Sequence, residues 1–249
     1  MKIETRQTKE NGIIQITTHD ERWYAKNQED GSVKYVPSVT WVCGHYPKGI
    51  AFYKWLADKG WDEAEALKNA AGDRGSKVHK AIETLMDGQL VKIDDKFVNP
   101  TTNQPEELTI EEYDAILSFA NWFNEVKPKI IAAEFVVFND EENYAGTVDL
   151  LCEIDKEVWL IDFKTSQSVW SEYELQVSAY KHAMSKKIDK LGILQVGYKK
   201  NKAKWKMNEV EDKFPLFQAA QQIWANEQEG VTPKQKDYPV SVQLNGVKK

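Results

Sequence analysis

Between Gly146 and Ser166 the sequence reads GTVDLLCEIDKEVWLIDFKTS. Two β-rich runs, Thr147 to Ile154 and Val158 to Phe163, flank a polar break at Asp155-Lys156-Glu157. Side chains alternate faces along a strand, so Thr147, Asp149 and Leu151 share one face of the first run. Asp162 and Lys164 share one face of the second, with Phe163 turned the other way. With a two-residue loop at Asp155-Lys156, Ile154 pairs with Glu157 and Asp149 falls directly opposite Asp162. A three-residue loop would put Asp149 opposite Phe163 instead. Two carboxylates at the roughly 4.5–5.5 Å of a cross-strand pair repel each other and require a positive partner. A divalent cation meets that need, because Mg²⁺ is held through one or two carboxylates plus water and substrate phosphate. Lys164, on the same face, can stabilise charge on an attacking water or on phosphoryl oxygens. The chemistry this set would perform is metal-assisted hydrolysis of a phosphodiester. The same residues also read as the solvated polar face of an amphipathic hairpin. Against that, Asp is depleted in strand interiors, yet both acids sit within apolar or β-branched runs. The next helix also carries Gln176 and Tyr180 four apart on one face.

The elements that would position this pair can be read along the chain. GIIQITT and a hairpin around Glu29-Asp30-Gly31 predict short strands before Tyr35. Helices are expected over 50–59 and 62–71, with a break at Gly72-Asp73-Arg74-Gly75 and a third helix from Ser76 to Met86. A longer helix begins at Thr109, where Glu112 three residues on completes a capping box, and ends before Pro128. After the strand runs at 135–138, 147–154 and 158–163 come a helix from Ser171 to Met184 and a strand from Leu191 to Tyr198. A strand near Trp205 and a last helix over 215–227 complete the order, which is that of an α+β or mixed α/β layer fold. No repeat or linker divides the chain, so one domain is expected: N-terminal strands and helices over 1–72, a core over 73–210, and a C-terminal helix and tail over 211–249.

Composition narrows the classes. The 249 residues carry 33 Lys and Arg against 39 Asp and Glu, a formal charge of −6, which excludes a uniformly basic nucleic-acid coat. No apolar run approaches the roughly 18 residues of a membrane helix, and MKIETRQTKENG has neither a signal core nor an amphipathic leader, so an intracellular protein is expected. Cys43 and Cys152 lie far apart with no partner at metal-ligand spacing and read as inert thiols.

Taken as an ordered set, these residues resemble the PD-(D/E)XK nuclease superfamily, and within it the RecB-type exonuclease branch. GTVD, ending at Asp149, resembles the first acidic motif, and IDFKTS, with Asp162 and Lys164, the acid-x-Lys motif. Gln176 and Tyr180 are similar to the downstream Gln-x-x-x-Tyr motif, His79 in GSKVHKAIE resembles the upstream helical histidine, and Glu134 matches an acid often found on the preceding strand. The segment Pro37 to Thr40 is similar to one in mitochondrial genome maintenance exonucleases and phage-borne relatives. The four cysteines of an iron–sulfur cage found in some RecB-type relatives are missing. The resemblance implies a restriction-endonuclease-like central sheet flanked by helices, with helical N-terminal additions. It implies that His79, Asp149, Asp162 and the backbone carbonyl of Phe163 hold Mg²⁺ or Mn²⁺, the imidazole suiting Mn²⁺ better. Lys164 would orient or activate water, Gln176 and Tyr180 would position the phosphate or the lysine, and Glu83 and Glu134 would stand behind the ligands.

The implied activity is that of an exonuclease on single-stranded DNA or DNA ends without sequence specificity, working beside recombination or replication proteins. Its expected setting is the cytoplasm of a bacterial cell or phage-infected host. A structure-specific endonuclease on the same fold, or a non-cleaving recombination accessory protein, would carry many of the same features. From Lys181 to Lys206 nine lysines face one acid, Asp189, and the run ends in KKNKAKWK. Lys199, Lys200, Lys202 and Lys204 with Trp205 fit a path along a phosphate backbone with a ring for base stacking, though such a run also reads as a solvated hairpin tip. Ser38 and Thr40 suit either a phosphate contact or a helix cap. Trp41, Phe52, Trp55 and Trp61 are expected mostly in the core.

Overall fold

The computed structural model describes residues 4–7, 12–18, 21–228, 230, 232 and 233; the rest of the predicted C-terminal tail, 234–249, lies outside them. An antiparallel meander comes first: β1 (Glu4–Gln7), β2 (Ile14–Thr17), β3 (Arg22–Asn27) and β4 (Val33–Pro37), in that spatial order. Three helices follow, α1 (Val39–Cys43), α2 (Ile50–Lys59) and α3 (Trp61–Met86), then a small hairpin of β5 (Lys96–Asn99) and β6 (Gln104–Glu107) that the sequence pattern did not reveal. Helix α4 (Ile110–Val126) leads into the central strands β7 (Lys129–Asn139), β8 (Tyr144–Ile154) and β9 (Glu157–Lys164). Helix α5 (Ser171–His182), β10 (Lys190–Val196), β11 (Trp205–Val210) and α6 (Phe214–Glu227) close the order.

The central sheet runs β11-β10-β9-β8-β7. Only β9 and β10 are parallel, because α5 carries the chain across one face between them; the other neighbours are antiparallel. Period-2 alternation divides β9. Ile161 and Phe163 pack with Val78, Ile82, Phe119 and Trp122 on the α3–α4 side, while Leu160 joins Leu175, Val177 and Phe217 on the α5–α6 side. The fold is thus the mixed α+β sheet flanked by helices that the sequence predicts, the arrangement of restriction-endonuclease-like enzymes.

Two expectations change. The segment Gly72-Asp73-Arg74-Gly75 does not break a helix: α3 is continuous over 26 residues. Glycine costs about 1 kcal/mol in a helix interior, a penalty that tertiary packing absorbs. That packing is centred on Lys77, whose ammonium lies 2.9 Å from the Glu112 carboxylate with both side chains buried. Glu112 also closes the α4 capping box with Thr109, so one carboxylate starts α4 and pins α3 to it. The second change concerns aromatics. Trp41 packs edge-on against Trp23 and Trp224, but α2 buries no residue, and Phe52, Trp55 and Trp61 are exposed. Among the described residues nothing buries a side chain of α2, and the first half of α3 buries only Ala64.

Continuity of α3 makes a testable statement about Gly72, where an added methyl meets nothing within 4 Å. Gly72→Ala is expected to raise stability to urea by about 1 kcal/mol; a loss of stability would contradict the continuous helix.

Candidate active site

The β8–β9 hairpin sets the register. Pairs run from Leu150↔Ile161 to Ile154↔Glu157, so the loop is the two-residue form, and Asp155 and Lys156 have φ of 51° and 70°, the left-handed pair of a type I′ turn. The next position along this register sets Asp149 against Asp162. There the ladder gives way to side-chain bonding: Asp149 Oδ2 accepts the Phe163 N–H at 2.7 Å.

Asp162, Lys164 and Gln176 form a closed ring. Gln176 Nε2 donates to Asp162 Oδ1 at 2.8 Å and to the Tyr180 hydroxyl at 2.9 Å, and Gln176 Oε1 accepts from Lys164 Nζ at 3.1 Å. Turning the amide over would set oxygen against carboxylate, so the network fixes its orientation. Lys164 Nζ completes the ring 2.6 Å from Asp162 Oδ2, and it also lies 4.6 Å from the Tyr173 ring centre. Helix α5 reaches this depth because Leu175 to Tyr180 are all buried. Gly146 makes room: a Cβ there would lie 2.4 Å from Tyr180 Cε1, so the first residue of GTVD is glycine for a packing reason.

On the other side of Asp149 stands α3. His79 Nδ1 is 3.4 Å from Asp149 Oδ1, and its ring meets Phe163 edge-on at 6.0 Å. Glu134 sits on β7 between the pairs Ala133↔Leu150 and Phe135↔Val148, level with Asp149. Its φ of 48° is a left-handed conformation inside a strand, which costs of order 1–3 kcal/mol and collects at functional sites. One ligand atom each from His79, Glu134 and Asp149 lies within 4.8 Å of the others.

These residues line one cavity of about 520 Å³ at the end of β9, together with Glu83, Phe163, Thr40 and Thr165. Glu83 is buried and paired with Lys80 at 2.6 Å. The ring of Phe163 is turned into the core against Phe119. Ser38 is not at the surface: it is buried and caps α1 by accepting the Trp41 N–H. Trp205 packs against the α3–α4 side of the sheet, so its ring is not presented for base stacking. Lys199 pairs with Glu111 and Lys204 with Asp114, both acids of α4, while Lys200 and Lys202 are exposed on the same turn. None of the four lysines lines the cavity. Arg22, Tyr24 and Arg74 do, and the sequence reading missed them. Arg22 and Tyr24 stand two apart on a strand, the one signal available, and Arg74 was hidden by the expected break.

Burial and charge act together here. Burial opposes a charge on Asp162 and the neighbouring Asp149 adds to it, so despite Lys164 its pKa is pushed up to about 6. Asp149 goes the other way: burial would raise it, but His79 and Lys164 hold it below the ordinary carboxylate value. Burial disfavours the imidazolium of His79, yet Asp149 overrides that and lifts it to about 9. Both thiols stay protonated, Cys43 raised by burial and Cys152 pushed up to about 12.

A family model for the PD-(D/E)XK nuclease superfamily matches residues 51–237, three quarters of the sequence. The chain belongs to this superfamily. It is a nuclease by that membership, and no curated protein matches the sequence at a significant level. The superfamily's divalent ion fits the residues present. Asp162 Oδ2 is buried with the Lys164 ammonium 2.6 Å away and no other partner, so a carboxylate lone pair remains for an ion, and the imidazole and two carboxylates of the nearby cluster are suitable donors. No helix among the described residues is long and apolar enough to cross a membrane.

A stability prediction follows from Asp162. Its folded pKa of about 6 exceeds the ordinary 3.8, so the metal-free fold holds its proton more tightly than the unfolded chain. The associated stability is present below the lower value and is lost as pH rises through the upper one. Metal-free Asp162→Asn is expected to melt with the wild type near the lower value and several degrees above it at pH higher than the upper; equal melting temperatures throughout would contradict the burial argument.

Proposed function

We propose that this nuclease is a Mg²⁺- or Mn²⁺-dependent DNA exonuclease of the RecB-type branch, acting on single strands or ends without reading base sequence. The observation that carries the reading is the convergence, in one cavity, of the His79–Glu134–Asp149 cluster with the Asp162–Lys164–Gln176 ring. His79, Asp149 and Asp162 would hold the ion, with the Phe163 carbonyl and Glu134 beside them. Bound there, a divalent ion supplies Lewis acidity toward water and the scissile phosphate.

The protein's own groups do the positioning. Gln176 holds Lys164 by one end of its amide and Asp162 by the other, so the ammonium cannot swing away from the reacting phosphate. Asp162 and Asp149 raise the pKa of Lys164 against the effect of burial, so it remains a cation able to donate to a phosphoryl oxygen or to the attacking water. Tyr180 braces Gln176 from below. Thr40, at the cavity wall, and the exposed Lys200 and Lys202 outside it would contact the strand. A site of about 520 Å³ has room for a nucleotide unit. The whole chain would work as one nuclease domain, in the cytoplasm and alongside replication or recombination proteins.

The assay is cleavage of labelled linear and closed-circular single-stranded DNA with Mg²⁺, Mn²⁺ or EDTA. The wild type should degrade the linear strand with either metal and leave the circle intact. Asp162→Ala and Lys164→Ala should each lower kcat by about 10²- to 10³-fold, the usual cost of one such group. Activity that survives both substitutions would remove the site from the chemistry, and a cleaved circle would make the enzyme an endonuclease.

A further inference from the structure

The N-terminal meander precedes the family match, which begins at residue 51, yet it forms one wall of the cavity. On β3, Arg22 and Tyr24 point to one face, and on β2 their partners are Thr17 and Gln15. Gln15 Nε2 donates to the Tyr24 hydroxyl at 2.9 Å, and that hydroxyl bonds Thr147 Oγ1 on β8 at 3.0 Å. Thr147 stands two residues from Asp149 on the same side of its strand. A chain of side-chain hydrogen bonds thus fastens the meander to the catalytic strand, and the next residue on that face toward the cavity is Arg22.

The cavity cations differ in what they already hold. Among the described residues His79 faces Asp149, Lys80 faces Glu83, Lys164 faces Asp162, and Arg74 faces Glu111 at 3.5 Å. Arg22 has no carboxylate within ion-pair distance among the described residues, and it is exposed while lining the cavity. The floor beneath it is acidic, so a polyanion approaching the centre meets repulsion that a cation on the wall offsets. A guanidinium is suited to this, since its planar fork matches two phosphate oxygens and its charge does not titrate.

We propose that Arg22 binds a phosphate next to the scissile one, making the meander a substrate-positioning wall for the strand that enters between it and α3. This deepens the nuclease reading above and rests on it. Arg22 then acts on binding and register, not on the chemical step.

The test compares wild type, Arg22→Gln and Arg22→Lys on a single-stranded oligonucleotide, with a parallel series in which one linkage at a time is a neutral methylphosphonate. Arg22→Gln should raise KM about tenfold with kcat little changed, and should lower the slope of log affinity against log salt by about one. Arg22→Lys should restore the salt slope and only part of the affinity. Neutralising one linkage beside the cleaved bond should weaken the wild type by a similar factor and leave Arg22→Gln unaffected. Equal KM and salt slope in wild type and Arg22→Gln would overturn the assignment. So would a wild type indifferent to neutralisation at every neighbouring linkage, which needs no variant to fold. Binding of the same labelled strand to Asp162→Asn with and without Arg22→Gln reads the contact without turnover. A wild type that cleaves no DNA with any metal therefore fails the nuclease reading alone, while cleavage with unchanged Arg22 variants fails only this one.

Discussion

Two carboxylates facing each other across β8 and β9 are the constraint to which the site answers. Opposed acids at the end of a buried hairpin raise the energy of the fold unless each is given different company. The protein separates them by environment. Asp149 receives a backbone N–H and the imidazole of His79 and remains an anion, while Asp162 is shared between an amide and an ammonium and is pushed up to about 6. The three side-chain partners come from different elements: α3 for His79, β9 itself for Lys164, α5 for Gln176. The crossover that makes β9 and β10 parallel is therefore also what brings Gln176 over the hairpin.

The same constraint explains features that local preferences disfavour. Glu134 takes a left-handed conformation in mid-strand, level with Asp149, and β7 shifts register between Ile130 and Ala132. A regular β7 would have kept both neighbours of Asp149 on a plain ladder; the distortion brings a third acid beside it. Gly146 gives up a side chain so that Tyr180 can lie against β8 and brace Gln176. Helix α3 tolerates two glycines in its middle because the buried Lys77–Glu112 pair fixes it to α4 two residues before His79. In each case packing outside the site holds a local departure that the site requires.

The central hairpin was legible from local signals, alternation, a polar break and acids in apolar runs, but its register stood open between a two- and a three-residue loop, which the type I′ turn at Asp155-Lys156 decides. Gln176 and Tyr180 were legible through helical spacing, and the capping box announced α4. Other features depend on contacts distant in sequence. The continuity of α3 through Gly72 and Gly75 goes with tertiary packing of its second half, Val78, Ala81 and Ile82 in the core and Lys77 on Glu112, which no local rule sees. The exposure of Phe52, Trp55 and Trp61 depends on whether another layer covers α2, which a hydrophobic pattern does not record. The strand near Trp205 was legible, but not the company of its ring, which packs onto the sheet where the basic run had suggested a base-stacking surface. Arg22 gave the weakest signal of all, a single cation on a short strand whose distance to the site exists only in three dimensions.

Charge shows most clearly how a total differs from its distribution. The lysine-rich turn after β10 looked like the obvious path for a polyanion, yet two of its cations are matched by Glu111 and Asp114 at the start of α4. Glu111 lies in the first turn, where its charge suits the helix dipole, and the two pairs tie the turn to α4 as well as lowering its field. Surface pairs of this kind contribute little to stability and are screened by salt, but they do reduce what remains for a ligand. An enzyme of formal charge −6 must then draw a phosphate strand toward an acidic centre where, among the described cations lining the cavity, Arg22 alone faces no carboxylate. On the reading proposed above, such an arrangement would hold DNA through a small number of placed contacts at the cavity mouth rather than through a broad basic face, and would tie engagement of the strand to the geometry that also aligns the scissile bond.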